Sequence, residues 1–571
     1  MKNQKLTMLS TPEAELHHAS EHYPRPCLHR NSFFSLDGDW NFVARTTEDK
    51  AVTPRRIRVP FPPESALSGI EEVYPDGTLL CYSRTFTLPD GFVRDRVILH
   101  IGAADQEATV WLNDHQLGTH QGGYFPFSFD VTDQLKDGEN TLVIHVTDQL
   151  DRHVLPWGKQ KHKRGGMWYT PVSGIWQSVW MESVPNVYVK SLTVHASADG
   201  ATVFAEGVDE GMLIVKTPEG LICEKMRGGM VSVKMNAPRL WSPEDPYLYR
   251  FKLICGTDTV QSYFACRTLT VCEVEGVKRL CLNGKPYFFH GLLDQGYFPD
   301  GIFTPAHPIR YERDILLAKS LGFNTLRKHI KIEPQQFYYD CDRLGMIVFQ
   351  DMVNNGDYSF WRDTLLPTVG IKRRNDKRLH KDAATRKAFL TAMEETVRLL
   401  QFHPSICYWT VFNEGWGQFD GNAAYKALRA IDDTRFIDTA SGWFITKESD
   451  VESPHVYFKP VKCRPDRKPL VLSEFGGYSL PIDGHVSNDK IYGYRKFSDV
   501  ADFEKAFFAL YENEILPAAR AGLSGAIYTQ LSDVEDEING LVTYDRRVVK
   551  LRNEQKMQAL AATLQNAHGK K

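Results

Sequence analysis

The chain has no stretch of about 18 consecutive apolar residues, so no segment reads as a transmembrane helix. Its opening, from Met1 to His18, holds no apolar run of signal-peptide length. It has no basic surplus: 68 Lys and Arg stand against 71 Asp and Glu, for a formal net charge of −3. That balance excludes a nucleic-acid backbone binder. Tandem repeats and low-complexity segments are missing, and 42% hydrophobic with 24% charged residues excludes disorder, collagen and coiled coil. The ten cysteines (27, 81, 223, 255, 266, 272, 281, 341, 407 and 463) form no CxxC and no framework. Most sit inside apolar runs and read as small buried hydrophobes, which suits a reducing, cytoplasmic location. What is abundant is aromatic: 11 Trp, 24 Tyr and 32 Phe in 571 residues. Such rings usually fill cores, and a minority line sites that stack on flat apolar faces such as those of sugars.

At roughly 100–200 residues per domain, this length implies about three domains. Residues 1–185 read as β, with alternating runs at Val97–Ile101, Ala108–Leu112 and Thr141–Val146 separated by turn signals such as Asn113-Asp114 and Asp137-Gly138. Short strands at even spacing suggest a β-sandwich. Residues 186–275 continue as β, with strands expected at Val187–Val194, Gly211–Val215, Val231–Met235 and Tyr249–Ile254. A segment of that size suits a small immunoglobulin-like β-sandwich. In 276–571 the texture changes. Apolar runs at Phe288–Leu293, Thr325–His329, Met346–Gln350, Ile406–Phe412, Phe436–Thr439, His455–Phe458, Pro469–Ser473 and Gly525–Gln530 alternate with helical patterns. Eight strands with helices between most of them predict a (β/α)8 barrel.

In such barrels chemistry sits at the C-terminal ends of the strands. The fourth run ends in Asn413-Glu414-Gly415-Trp416 and the seventh in Ser473-Glu474-Phe475-Gly476-Gly477. A lone strand-end Glu most often caps the next helix or makes an ion pair. Two, on strands that face each other across one mouth, suit glycoside hydrolysis. One would protonate the leaving oxygen while the other attacks the anomeric carbon or activates water.

These motifs resemble glycoside hydrolase family 2, whose members include β-galactosidases, β-glucuronidases and β-mannosidases. The resemblance spans nearly the whole chain. It rests on Leu36–Phe42, Val59–Ser65, Tyr82–Phe86, Gly122–Phe127 and Ser173–Val179, on Leu240–Pro243, and on Asn283–Pro286, Gly322–Arg327, Asp342–Met346 and the two Glu motifs. It implies a jelly-roll sugar-binding domain, an immunoglobulin-like β-sandwich and a catalytic TIM barrel. It also implies retention through a covalent glycosyl-enzyme, with Glu414 as acid/base and Glu474 as nucleophile. By the same resemblance Asn413 would bind the sugar 2-hydroxyl, Tyr457 would hold the nucleophile, and His455, on the same side of its strand, would join them. Arg327 would orient Glu474 or serve as a structural Arg under the rim. Asp351 would bind hydroxyls or cap a helix. Trp416 and Trp443 would stack on the sugar or pack a loop, and Tyr528 would replace the Trp that relatives place on strand eight.

Departures bear on the substrate. After strand two this chain reads Arg327-Lys328-His329-Ile330, with His329 one position away from the family His. Glucuronidases read the sugar carboxylate with an Asn-x-Lys pair, where this chain has Glu537-Ile538-Asn539. Glu537 would repel a uronate, so β-galactosides are the expected substrates. A β-galactofuranoside, arabinopyranoside, β-mannoside or β-glucuronide, or a catalytically silent carbohydrate-binding protein, are the alternatives. No cofactor is expected, and no spacing in the acidic run Asp533–Glu537 fixes a metal site. Some galactosidases of the family use Mg²⁺ and Na⁺, but their ligands have no residue-by-residue match here. The expected partner is a carbohydrate substrate, with no nucleic acid or membrane. The resemblance also implies homo-oligomers.

Overall fold

Alternation of apolar and polar residues builds the first layer of the molecule. In the strand Glu139–Thr147, the side chains of Asn140, Leu142, Ile144 and Val146 turn inward and their neighbours outward. This strand is central in an antiparallel six-stranded sheet that runs, by residue, 55–59, 38–45, 79–87, 139–147, 107–112 and 115–121. A four-stranded sheet (34–35, 179–184, 96–101, 127–130) covers it. Trp40, Phe42, Tyr82, Ile101, Val110, Ile144 and Met181 fill the space between them. The computed structural model describes residues 7–16, 22–46, 53–368, 370–371, 375–457, 459–462 and 467–567.

A second sandwich follows, with sheets 191–196, 200–206, 230–234 and 220–226, 211–217, 249–255, 258–264. Its first strand begins at Ser191 rather than at Val187. The preceding backbone is already engaged, since Val189 N–H donates to Asp258 and Val189 C=O accepts from Arg30. The hairpin 269–274/277–282 leads into the barrel, and a disulfide joins Cys272 to Cys281 across it. That bond departs from the reading of the cysteines as unpaired. Cys463 lies outside the described residues.

The barrel strands are β1 (Phe289–Asp294), β2 (Thr325–Lys328), β3 (Ile347–Asp351), β4 (Ile406–Asn413), β5 (Phe436–Ser441), β6 (His455–Val456), β7 (Leu470–Gly476) and β8 (Leu523–Thr529). All pair in parallel, in the order 5-4-3-2-1-8-7-6. A bridge between Gly442 and Pro454 spans the join of β5 and β6. Phe458, expected to end strand six, lies outside the described residues. Helices α1 (Ile309–Ser320), α2 (Gln335–Leu344), α3 (Ala383–Leu400), α4 (Gly421–Ile431), α5 (Val500–Leu510) and α6 (Glu554–Gln565) lie around it. Their ends follow local chemistry. Asp382 and Asp499 accept backbone N–H bonds at the starts of α3 and α5. Gly345 ends α2 at φ 74°, where a Cβ would also meet Pro243 O at 2.6 Å. The fold class is thus an N-terminal β-sandwich, an immunoglobulin-like sandwich and a C-terminal (β/α)8 barrel.

Strand parity sets what faces the axis. Phe289, Leu293, Ile347, Phe349, Tyr408, Val471 and Ile527 meet inside the barrel. Leu292, Leu326, Val348, Trp409, Leu472, Ala526 and Tyr528 face the helices. The hydrophobic floor ends at β-strand C-termini, and polar side chains take over above it.

Candidate active site

A buried guanidinium organises the mouth. Arg327, at the end of β2, is fully buried. Its Nε donates to Asp351 Oδ1 (2.9 Å), one terminal nitrogen to Glu474 Oε1 (3.0 Å) and Ser473 O (3.0 Å), the other to Asn413 Oδ1 (2.8 Å). One planar fork thereby fixes the ends of β3, β4 and β7. Asp351 Oδ2 lies 2.7 Å from His329 Nδ1. Burial pushes His329 down to about 4, against the pull of Asp351, so this ring is neutral at pH 7. The displaced His329 therefore still reaches the site network.

Glu474 faces the axis because pairing between β7 and β8 shifts between Leu472 and Phe475. Phe475 then packs on Tyr511 and Tyr528 in the helix layer, and Glu474 turns toward Arg327. Tyr457 donates to Glu474 Oε2 and lies 3.2 Å from Thr529 Oγ1. Opposite, Glu414 sits at φ 52°, its N–H donating to Ser441 O at 2.9 Å. The next residue must be Gly415, since a Cβ there would fall 2.2 Å from Phe444. His455 lies between the two carboxylates, its Nδ1 2.8 Å from Glu414 Oε1 and 3.5 Å from Glu474 Oε2. Ser441 Oγ, 2.9 Å away, holds its Nε2. The facing oxygens of Glu414 and Glu474 lie within 4.8 Å of each other.

The two carboxyls are pushed apart. Burial raises Glu414, and the charge of Glu474 adds to it against the bond from His455. Burial would raise Glu474 too, but His455, Arg327, His329 and the Tyr457 hydroxyl together hold it below the usual carboxylate range. One acid and one ionised carboxylate, a few ångströms apart, can protonate and attack the same bond.

The aromatic candidates divide. Trp443 is half-buried, edge-on to His455 at 5.7 Å, with its Nε1 bonded to Asp363 O (3.0 Å). Trp416 is buried against Trp168 and Tyr358, and its Nε1–H has no acceptor among the described residues. Tyr528 does not reach the mouth, which corrects its assignment there. It sits one residue out of phase with Ile527 and Thr529, and its ring packs on Phe475 and Phe507 with its hydroxyl accepting from Tyr478 N. Thr529 holds the inward position instead.

Sequence reasoning missed a strap from the first sandwich. Trp157 N–H donates to Asn354 O after β3, and Trp157 Nε1–H to Gly356 O. Trp168 stacks on Trp157 at 5.2 Å and leans on Trp416 at 5.1 Å. Lys159 Nζ lies 5.8 Å from the Trp416 ring centre. The acidic run Asp533–Glu537 receives this strap. Glu537 accepts from the Tyr169 hydroxyl, Glu535 from Thr170 N–H (2.9 Å), and Asp536 pairs with Arg164 at 3.1 Å. Asp533 pairs with Lys550 at 2.6 Å. The signal for it was the interleaving of aromatic and basic residues with glycines from Trp157 to Tyr169. Two groups of ligand-type side chains among the described residues are close enough for a metal ion: Glu414, His455 and Glu474, and Asp76, Asp151 and His162 on the first sandwich.

Comparison with known proteins covers most of the chain. Residues 50–185 match the model "Glycosyl hydrolases family 2, sugar binding domain", residues 182–267 match "Glycosyl hydrolases family 2", and residues 272–551 match "Glycosyl hydrolases family 2, TIM barrel domain". A β-glucuronidase of Felis catus is 26% identical over 495 residues, covering 76% of this chain and 72% of its own. A β-galactosidase of Thermoanaerobacter pseudethanolicus is 25% identical over 295 residues, covering 48% of this chain and 39% of its own. The structure of a β-D-glucuronidase from Dictyoglomus thermophilum superposes with TM-score 0.71 at 19% identity, covering 95% of this chain and 98% of that one.

Proposed function

The chain belongs to glycosyl hydrolases family 2, and from that premise we propose that it is a retaining, exo-acting β-glycosidase. The observation that carries this reading is the separation of Glu414 and Glu474, whose facing oxygens lie within 4.8 Å. Retention requires carboxyl groups about 5–5.5 Å apart, whereas inversion needs room for water at about 6.5–9.5 Å.

Glu474, ionised by its neighbours, attacks the anomeric carbon. Its Oε–C1 bond forms as the glycosidic C1–O bond breaks. Glu414, kept protonated by burial, gives its proton to the leaving oxygen. A water then enters on the same face, Glu414 takes its proton, and Glu474 leaves as a carboxylate. Asn413, whose oxygen is held by Arg327, presents its amide N–H to the sugar 2-hydroxyl. The strap across one side of the mouth supports attack on terminal residues.

The sugar is the finer part of the reading. The β-galactoside expectation rested on Glu537 repelling a uronate. Glu537 is bonded to Tyr169 and Asn539 (3.2 Å), so both its oxygens are engaged by the protein. A panel of nitrophenyl β-glycosides, run on wild type and Glu474→Ala, tests the activity. Wild type should cleave at least one, and the variant should lose several orders of magnitude in kcat. Full rate in the variant would remove Glu474 from its role.

A further inference from the structure

Four lysines are buried among the described residues: Lys159, Lys328, Lys331 and Lys550. Three have a carboxylate in contact. Lys328 meets Asp294 (2.7 Å) and Glu333 (2.9 Å), Lys331 meets Glu333 (3.0 Å), and Lys550 meets Asp533 (2.6 Å). Lys159, only 6% exposed, has none among the described residues. Its one hydrogen bond goes to the Tyr169 hydroxyl at 3.5 Å, a long contact for a group with three donors. The rings of Tyr169 (5.1 Å) and Trp416 (5.8 Å) flank it. These faces ease the burial of a cation but do not neutralise it.

The position of this charge is informative. It stands on the strap, close enough to Glu414 and His329 for its field to lower both. On the acidic run, Glu537 accepts from the same Tyr169 hydroxyl that Lys159 contacts, and from Asn539 (3.2 Å), but makes no direct ion pair with Lys159 among the described residues. Beside Lys159, the buried Trp416 Nε1–H points at no acceptor. A buried ammonium met only by one long hydroxyl contact thus lies beside a buried indole N–H that has no acceptor among the described residues. A neutral sugar offers hydroxyl oxygens, which do not compensate a buried ammonium. A carboxylate offers charge and acceptors together.

We propose that Lys159, assisted by Trp416 Nε1–H, binds a carboxylate on the substrate's sugar, so that this enzyme acts on β-linked uronic acids. The cation that reads the acid comes from the first sandwich rather than from the loop after β8, where Glu537 and Asn539 stand. This inference rests on the glycosidase reading above.

The test uses nitrophenyl β-glucuronide and β-galacturonide against β-glucoside and β-galactoside, with wild type, Lys159→Met and Lys159→Arg. Wild type should favour a uronide in kcat/KM by about 100-fold or more, the scale of a buried charge pair. Lys159→Met should collapse that ratio by a similar factor, and Lys159→Arg should restore part of it. Calorimetry with free glucuronate and galacturonate supplies a readout independent of turnover: wild type should bind one of them and Lys159→Met neither. A wild type that favours the neutral sugars overturns the proposal, as does a ratio unchanged in Lys159→Met or a failure of wild type to bind either acid. Retained hydrolysis in Glu474→Ala would sink the glycosidase reading alone, because the calorimetric arm still judges Lys159.

Discussion

Removing one hydroxyl, in Tyr457→Phe, separates the charge on Glu474 from the rest of the site. The Tyr457 hydroxyl donates to Glu474 Oε2 and touches Thr529 Oγ1 at 3.2 Å. Its ring stacks on Tyr494 with centroids 3.9 Å apart, and phenylalanine keeps that stack. Burial and the charge of Glu474 raise the tyrosine's own pKa well above its ordinary value, so it stays a donor across the working range. The bond therefore stabilises the ionised carboxylate over the neutral acid. A hydrogen bond to a charged group contributes about 1.5–3 kcal/mol, and one pH unit corresponds to about 1.36 kcal/mol. Its loss should raise Glu474 by about 1–2 units. The sign follows from the mechanism. As the proposed nucleophile, Glu474 must be ionised to attack, and the ionised fraction falls as pH drops through its pKa, so the acid limb of kcat/KM moves to higher pH. The alkaline limb, which follows Glu414 losing its proton, moves far less. The assay is kcat/KM against pH, from about pH 4 to 9, on the best nitrophenyl substrate, since that parameter reports the free enzyme. A uniformly slower enzyme whose acid limb has not moved would refute the reasoning, because the hydroxyl would then act on the sugar and not on the carboxylate.

Further outcomes follow from the same geometry. Glu414→Gln should lower kcat by about 10²–10⁴ on alkyl glycosides and far less on dinitrophenyl glycosides, whose leaving oxygen needs no proton; equal losses on both would remove Glu414 from proton donation. Arg327→Met leaves Asp351 and Glu474 buried without their cation, which should cost about 3–5 kcal/mol at pH 7. Both carboxyls sit below their usual range in the fold, so their contribution is present above about pH 4 and lost as pH falls. The gap in melting temperature between wild type and variant should therefore hold from pH 7 down to about pH 4 and narrow below it, and a gap that stays constant below about pH 4 would contradict it. Arg164→Ala removes the pairs with Asp536 (3.1 Å) and Glu535 (3.7 Å); it should raise KM more than it lowers kcat and open the strap to limited proteolysis.

The barrel was legible because its signals are local. Each strand is a short apolar run with a polar end, and the helices between carry caps and a 3.6-residue period. The expected strand Ile406–Phe412 and the observed Ile406–Asn413 differ by one residue. The two Glu motifs sat at strand ends for the same reason. What the chain could not display was parity. Tyr528 and Thr529 are equally good candidates by position, and only the pairing of β8 with β1 and β7 decides which one faces the axis. The bulge before Phe475 reverses parity in β7, and no residue there announces it. Charge pairing across domains was equally hidden. The run Asp533–Glu537 looks like a solvated loop until Arg164, Tyr169 and Thr170 are placed beside it, more than 360 residues away in sequence. Likewise the bond between Cys272 and Cys281 depends on the hairpin register that brings their Cα atoms to 6.4 Å.

That long-range pairing changes what the first sandwich is for. Glu535, Asp536 and Glu537 are all buried, and a barrel standing alone would hold three carboxylates with neither Arg164 nor the Tyr169 and Thr170 donors to meet them. Burial with only the Asn539 and Asn488 amides to meet Glu537 and Asp536 is costly enough that such a loop would rearrange or take up protons. Trp416 would likewise lose Trp168, the wall it leans on. The mouth of the barrel is therefore not a finished site to which a binding module is appended. The docked strap supplies partners to the acidic run, covers Trp416 and holds Lys159 within electrostatic reach of Glu414. If Lys159 reads the sugar as proposed, selectivity and the attachment of the first domain rest on the same contacts, so substitutions that loosen the strap should alter which sugar is accepted as well as how stably the domains hold together.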